Sequence, residues 1–239
     1  MKKLIVFSII FLLISSISYS QKKEKKESTK KMNIDFIHWY GQSAMRIEDG
    51  GKQIFIDPFK LPSSIEVKAD YIFITHGHMD HYSPDDIEKI KKENTVIIAP
   101  SDIAEKIKGE VISVKPDTSF NLDKMKISTI PAYNLNKNFH PKSNNWVGYI
   151  IHLSNGLNIY HSGDTDAIPE MKNIKVDIAL LPIGGKYTMT AEEAADIVNI
   201  FQPKLVIPMH YGSIVGSQKD AENFKKLCKV PVAIKMQEK

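Results

Sequence analysis

Two residue types are nearly missing from this chain of 239 residues: Cys228 is its one cysteine and Arg46 its one arginine. With a single thiol no intramolecular disulfide can form and no thiolate cluster can hold a metal ion, so any metal ligands must be imidazole and carboxylate. With a single guanidinium the chain has little means of bidentate phosphate or guanine recognition, which argues against a nucleic-acid partner. Positive charge is also scarcer than it looks. The formal net charge is +4, but Lys2 and Lys3 supply two of these charges and residues 21–31 a net four, leaving −2 for residues 32–239. The main body therefore lacks the basic footprint of a nucleic-acid binder. Long apolar runs are scarce too: the run Leu4 to Ile14 is shorter than the roughly 20 residues a membrane-spanning helix needs.

What is present begins with a leader-like segment. Met1-Lys2-Lys3, the apolar run and the small residues Ser18 and Ser20 have the pattern of a secretory signal cleaved after Ser20, which predicts export to a periplasm or to the exterior. Residues 21–31 carry six lysines and two glutamates and almost nothing apolar, so they read as a disordered tether. Residues 32–239 are expected to form one domain. Cys228 lies in an amphipathic helical pattern, the setting of a buried, unreactive thiol.

From Asn33 onward short β-type runs dominate. Ile34 to Trp39, Ala44 to Ile47, Gln53 to Ile56 and Tyr71 to Thr75 open the domain as a meander, with Gly50-Gly51 marking a hairpin turn. Ser83-Pro84-Asp85-Asp86 combines an N-cap, a proline at the first helical position and acids in the first turn. Val96 to Ala99 follows as a strand, and Ser101 is expected to cap a helix through Lys108. Further strands are predicted at Lys126 to Ile130, Val147 to Leu153, Asn158 to His161, Ile178 to Leu181 and Leu205 to Ile207. Thr190-Ala191-Glu192-Glu193 forms a capping box for a helix ending near Phe201, ahead of Pro203. Strand runs in both halves, each followed by helices, predict two packed sheets with helices outside, a layered α/β fold.

The chemistry is concentrated in His76-Gly77-His78-Met79-Asp80-His81, between the strand ending at Thr75 and the helix capped by Ser83. Alternate residues of an extended loop point to one side, so His76 and His78 can share one ion. Asp80 and His81, after the chain turns into the helix, can serve a second.

This hexapeptide matches H-x-H-x-D-H, and the chain resembles the metallo-β-lactamase fold hydrolases over nearly all of residues 33–234. Asp57 in Ile56-Asp57-Pro58 looks like the family's early aspartate, which supports the metal loop from behind. Ser162-Gly163-Asp164-Thr165 looks like its bridging-aspartate motif, and Pro208-Met209-His210-Tyr211-Gly212 like its last histidine. The family places one more histidine between His81 and Asp164, and the candidates are His140 and His152. His152 falls inside a strand, whereas His140 lies in a polar loop where a ligand is more readily presented, so His140 is chosen. Phe139-His140-Pro141-Lys142, followed by Trp146-Val147-Gly148-Tyr149, is similar to one branch, which includes ascorbate-lactone hydrolases and the phospholipase D acting on N-acyl phosphatidylethanolamines. His38, His152 and His161 are assigned structural roles. Where many relatives read Gly-His-Ala-Ser near the start, this chain has Gly41-Gln42-Ser43-Ala44.

The resemblance implies a four-layer αββα sandwich and two divalent metal ions. Zinc is the default, and manganese, iron or nickel suit the same ligands. His76, His78 and His140 would hold one ion, Asp80, His81 and His210 the other, and Asp164 would bridge them. Asp80 would also orient a shared hydroxide for attack on a small-molecule lactone, ester or phosphodiester. Absence of a cysteine ligand disfavours antibiotic cleavage. Only 45 residues separate Asp164 from His210, which leaves no room for the domain inserted there in some nucleases. Histidine rather than glutamate at position 78 disfavours the flavin-coupled di-iron oxidoreductases. Lys186 and Tyr187, in Ile183 to Thr190, are candidates for substrate contact, or else exposed side chains of a glycine-rich turn. Two rival readings remain: a metal-binding protein without turnover, and a membrane-associated phospholipid hydrolase, for which no aromatic-rich amphipathic helix speaks. The sequence sets no oligomeric state.

Overall fold

A computed structural model describes residues 32–239. The expected signal segment, residues 1–20, and the tether, residues 21–31, lie outside the described residues. Within residues 35–239 the strands form two six-stranded sheets. The first runs in chain order through β1 (Ile37–Gly41), β2 (Ala44–Asp49), β3 (Lys52–Ile56), β4 (Tyr71–Phe73), β5 (Val96–Pro100) and β6 (Val111–Val114). Strands β1 to β3 are antiparallel and β3 to β6 are parallel. The second sheet is built from β7 (Ser119–Leu122), β8 (Met125–Pro131), β9 (Val147–His152), β10 (Asn158–His161), β11 (Ile178–Pro182) and β12 (Leu205–Met209). It starts as a meander and ends in three parallel strands, β10, β11 and β12. Every residue of β11 and β12 is buried, as expected for parallel strands covered on both faces.

Period-two alternation decides which side chains meet which layer. Phe55, Ile72 and Ile97, paired across β3, β4 and β5, form one row with Ile87, Ile90 and Ile103 of two helices, α1 (Pro84–Ile90) and α2 (Ser101–Ala104). The alternate row meets the second sheet: Phe73 packs edge-on against Tyr149, with ring centroids 5.0 Å apart, and the Tyr149 hydroxyl donates to the Ile74 carbonyl at 2.7 Å. Helix α3 (Ala191–Phe201) is the crossover from β11 to its parallel neighbour β12 and buries Ala194, Ile197, Val198 and Phe201 on one stripe. It also packs against α4 (Gln218–Leu227). The result is the layered α/β sandwich with helices outside two facing sheets. No helix among the described residues is long and apolar enough to cross a membrane.

Local signals in the sequence account for most element ends. Ser83 caps α1 by accepting from the Asp86 N–H, and Thr190 and Glu193 make the reciprocal capping box of α3. Several expectations change. The first strand starts at Ile37 instead of Ile34, and the opening meander stops at β3, because β4 pairs with β3 in parallel. Pro100, not Ser101, is the cap residue of α2, which ends at Ala104 instead of Lys108 because Ile103 is its one buried anchor. Strands β6 and β7 were not expected, since four-residue segments at the sheet edges carry too little periodicity to show. Finally, β4 ends at Phe73 instead of Thr75: the Thr75 N–H turns to the Asp57 carboxylate at 2.8 Å, and the Thr75 carbonyl to the Val147 N–H. That departure aims the loop His76 to His81.

Candidate metal centre

The loop His76 to His81 leaves β4 between the two sheets, and Asp57 stands behind it. Asp57 sits just past β3 in a left-handed conformation, φ 48°, fully buried. Its Oδ1 accepts the Thr75 N–H at 2.8 Å, and its Oδ2 accepts the Thr75 hydroxyl at 2.7 Å and His81 Nδ1 at 2.8 Å. The Thr75 hydroxyl, already donating to Asp57, accepts from His76 Nδ1 at 3.0 Å. One buried carboxylate thereby sets the orientation of two imidazoles, each with Nε2 directed away from it. Asn134 does the same for His140: its Oδ1 accepts both the backbone N–H and Nδ1 of His140, each at 3.0 Å. The Asn134 amide in turn donates to Asp166 and to the Tyr187 carbonyl, both at 3.0 Å.

The inward-facing atoms converge. Three groups have all their ligand atoms within 4.8 Å of one another: His76 with His78 and His140, His76 with His81 and Asp164, and Asp80 with His81 and His210. Asp164, in the loop after β10, lies between them, with Oδ1 3.3 Å from His81 Nε2 and Oδ2 3.4 Å from His140 Nε2 and 3.0 Å from His210 Nε2. The structure thus gathers all seven predicted ligands at one place and puts Asp57 behind them.

The donor set fits metal ions on two grounds. His81 Nε2, His140 Nε2, Asp164 Oδ1 and both ring nitrogens of His210 are buried and make no hydrogen bond, a costly arrangement for any protein unless something else occupies those lone pairs. In addition, ligands about 2.0–2.1 Å from a tetrahedral ion must lie about 3.3 Å from each other. The observed donor separations of 3.1 Å between His76 Nε2 and His78 Nδ1, and 3.0–3.4 Å around Asp164, match that edge.

Electrostatics are correspondingly uneven. Burial, then the neighbouring His81, pushes His76 well below the ordinary histidine range, and burial with His140 lowers His78. Burial is the largest influence on His81 and His210 and opposes their charge, but Asp164 and Asp57 together outweigh it at His81, lifting it well above its ordinary value, and Asp164 and Asp80 together outweigh it at His210, lifting it to about 9. Asp80, despite its burial, is held down to about 2 by His210 and His81.

The Beta-lactamase superfamily domain matches residues 36–210, from the lead into β1 through the last histidine of the cluster. The chain belongs to this family. It is 36% identical over 210 residues to a UPF0173 metal-dependent hydrolase of Thermococcus onnurineus, covering 80% of this chain and 91% of that one. A metal-dependent hydrolase of Lysinibacillus sphaericus is 34% identical with the same coverage. Among solved structures, a protein of Parabacteroides distasonis superposes with a TM-score of 0.76 at 33% identity over 84% of this chain and 93% of the other. The metallo hydrolase Igni18 of Ignicoccus hospitalis does so with a TM-score of 0.70 at 26% identity, over 85% and 95%.

Around the family's metal loop the structure adds residues that sequence reasoning missed. Trp146, held by an indole N–H donated to Asp102 at 3.1 Å, walls the first group, its ring 4.9 Å from His76 and 5.0 Å from His78. Asn134, Thr75 and Gln42 hydrogen-bond to the predicted ligands His140, His76 and Asp80, and no motif of their own marks them. Lys186 and Tyr187 lie in the loop that Asn134 ties to His140 and that packs at Gly184 against the His210 carbonyl, with the Lys186 ammonium 4.8 Å above the Tyr187 ring. The remaining histidines have structural partners. His161 Nε2 donates to the Ser43 carbonyl at 2.9 Å while its Nδ1 accepts the Gly163 N–H, and His38 lies between Glu48 and Glu238. His152 ends β9, paired with Asn158 in β10. Cys228 is half-buried at the end of α4, and burial pushes its thiol up to about 12, far from a nucleophilic thiolate.

Proposed function

We propose that the chain is a metal-dependent hydrolase with a dinuclear site, most suited to zinc, that cleaves a small-molecule lactone, ester or phosphodiester. The observation that carries this reading is the placement of Asp164 between two groups of inward-facing imidazoles whose unpartnered nitrogens are buried. The relatives named as metal-dependent hydrolases support it. His76, His78 and His140 would hold one ion, Asp80, His81 and His210 the other, with Asp164 shared. Ions bound there would supply a water of near-neutral pKa and would stabilise the charge that develops on the substrate.

The chain's own residues have distinct tasks. Asp57, Thr75 and Asn134 fix the rings of His76, His81 and His140, engaging Nδ1 of each and leaving Nε2 facing the site. Asp80, part-buried at the second group, would orient the attacking water while remaining a ligand. Trp146 excludes bulk water from one side. Lys186 and Tyr187, on the loop between His140 and His210, would contact the far part of the substrate. Met79, Phe139 and Ile214 are exposed on the loops carrying Asp80, His140 and His210, which favours a substrate with an apolar portion.

Elemental analysis of the full chain beside Asp164→Ala and His210→Ala tests the proposal. About two equivalents of metal in the parent and a loss in both variants support it, followed by a screen over lactones, esters and phosphodiesters. A parent that takes up no zinc on reconstitution overturns it.

A further inference from the structure

Strands β1 and β2 are joined by the turn residues Gln42 and Ser43, and Gln42 takes a left-handed φ of 46°. Its carbonyl accepts two bonds, from the Trp39 indole N–H at 2.9 Å and from the His210 backbone N–H at 2.8 Å. Both bonds use the backbone and are indifferent to the side chain at position 42. The side chain itself is buried, and its Nε2 donates to Asp80 Oδ2 at 2.9 Å. That oxygen is also the one facing the second group, 3.6 Å from both His81 Nε2 and His210 Nε2. Turning the amide over would set its carbonyl oxygen against the carboxylate, two acceptors face to face, so chemistry leaves the NH2 group as the only workable partner.

We propose that Gln42 is a positioning residue for the second metal site. It occupies one lone pair of Asp80 Oδ2 and so directs the other toward the space between His81 and His210, while its carbonyl fixes the start of the His210 segment. One turn residue thereby couples two ligands that lie 130 positions apart in the chain. An amide donates whatever the pH, so a turn glutamine does this without a titrating group of its own, at the position where many members of the resembling family read histidine. The inference rests on the dinuclear reading above.

Two variants of the full chain separate the side chain from the backbone. Gln42→Gly keeps both carbonyl bonds and suits the left-handed φ, and Gln42→Met keeps the volume while removing the donor. Each is expected to leave the melting temperature of the metal-free protein close to that of the parent. In chelator competition with zinc, one of the two equivalents should bind about 10- to 100-fold more weakly, the usual cost of removing a partner from a metal ligand, with the other unchanged. The visible spectrum of the cobalt-loaded protein should change in the component titrating with the weakened site, and kcat should fall more than KM rises. Gln42→His, which can donate from a ring nitrogen, should recover much of the lost affinity. Wild-type affinities for both equivalents and an unchanged cobalt spectrum in both Gln42→Gly and Gln42→Met overturn the proposal. A parent chain that binds a single equivalent overturns the dinuclear reading instead, and the role of Gln42 with it.

Discussion

His81 Nδ1 and Asp57 Oδ2 lie 2.8 Å apart, and neither side chain is reached by solvent. The carboxylate accepts from the ring and from both donors of Thr75, so the outer support of the site and the exit of the chain from β4 depend on the same two oxygens. Asn tolerates a left-handed φ, so Asp57→Asn should fold, yet its amide cannot accept all three bonds. Zinc affinity is expected to fall about 10- to 100-fold in competition with a chelator. Asp57→Ala leaves three buried donors without a partner and should lose about 3 kcal/mol or more of stability in urea unfolding.

Stability of the metal-free protein should depend on pH in a defined sense. His210 is raised from 6.5 to about 9, so its contribution is fully present below about pH 6.5 and lost as the pH rises through 9. Asp80 is lowered from 3.8 to about 2, so its contribution is present above 3.8 and lost as the pH falls through 2. The melting temperature without metal is therefore expected to decline from pH 6.5 toward 9. With zinc at saturation the decline should disappear, because a bound cation would take the place of the proton on His210. Melting curves over this range, with and without zinc, make the comparison.

Gly184 has no room for a side chain. A Cβ there would lie 2.3 Å from the His210 carbonyl oxygen and 2.6 Å from Val215 Cγ2. Since the nearer atom is backbone, Gly184→Ala must displace the segment that carries His210. About 2 kcal/mol of destabilisation is expected from overpacking, together with weaker binding of one metal equivalent. Denaturant unfolding and metal titration of the same variant measure the two effects.

Trp146 offers an optical readout, because it and Trp39 are the two tryptophans of the chain. With its ring 4.9 Å from His76, its fluorescence should be quenched as copper or cobalt ions fill the first group. Trp146→Phe is expected to abolish most of that response while Trp39 still reports the fold. A full response remaining in the variant would move the metal away from His76 and His78.

The sequence by itself determined the class of fold and the densest part of the site. Period-two runs, Gly50-Gly51 and the caps at Ser83 and Thr190 are local signals whose hydrogen bonds close within a few residues, so they survive translation from chain to structure. His76 to His81 is legible for the same reason: its ligand types lie within six positions. The resemblance extended this to Asp57, His140, Asp164 and His210, which the fold brings to one point from the ends of different strands. Tertiary structure alone decided which groups stand behind them. Thr75, Asn134 and Gln42 are ordinary polar residues in the sequence, and Trp146 an ordinary aromatic. They act here because parallel and antiparallel pairing sets β1, β4, β8 and β9 so that their ends open on the same cleft. Edge strands β6 and β7 are not legible in the sequence because pairing with a neighbour, not their own pattern, makes them strands. Local chemistry writes caps, turns and clustered ligands into the sequence, whereas long-range packing decides the partners that orient a buried imidazole.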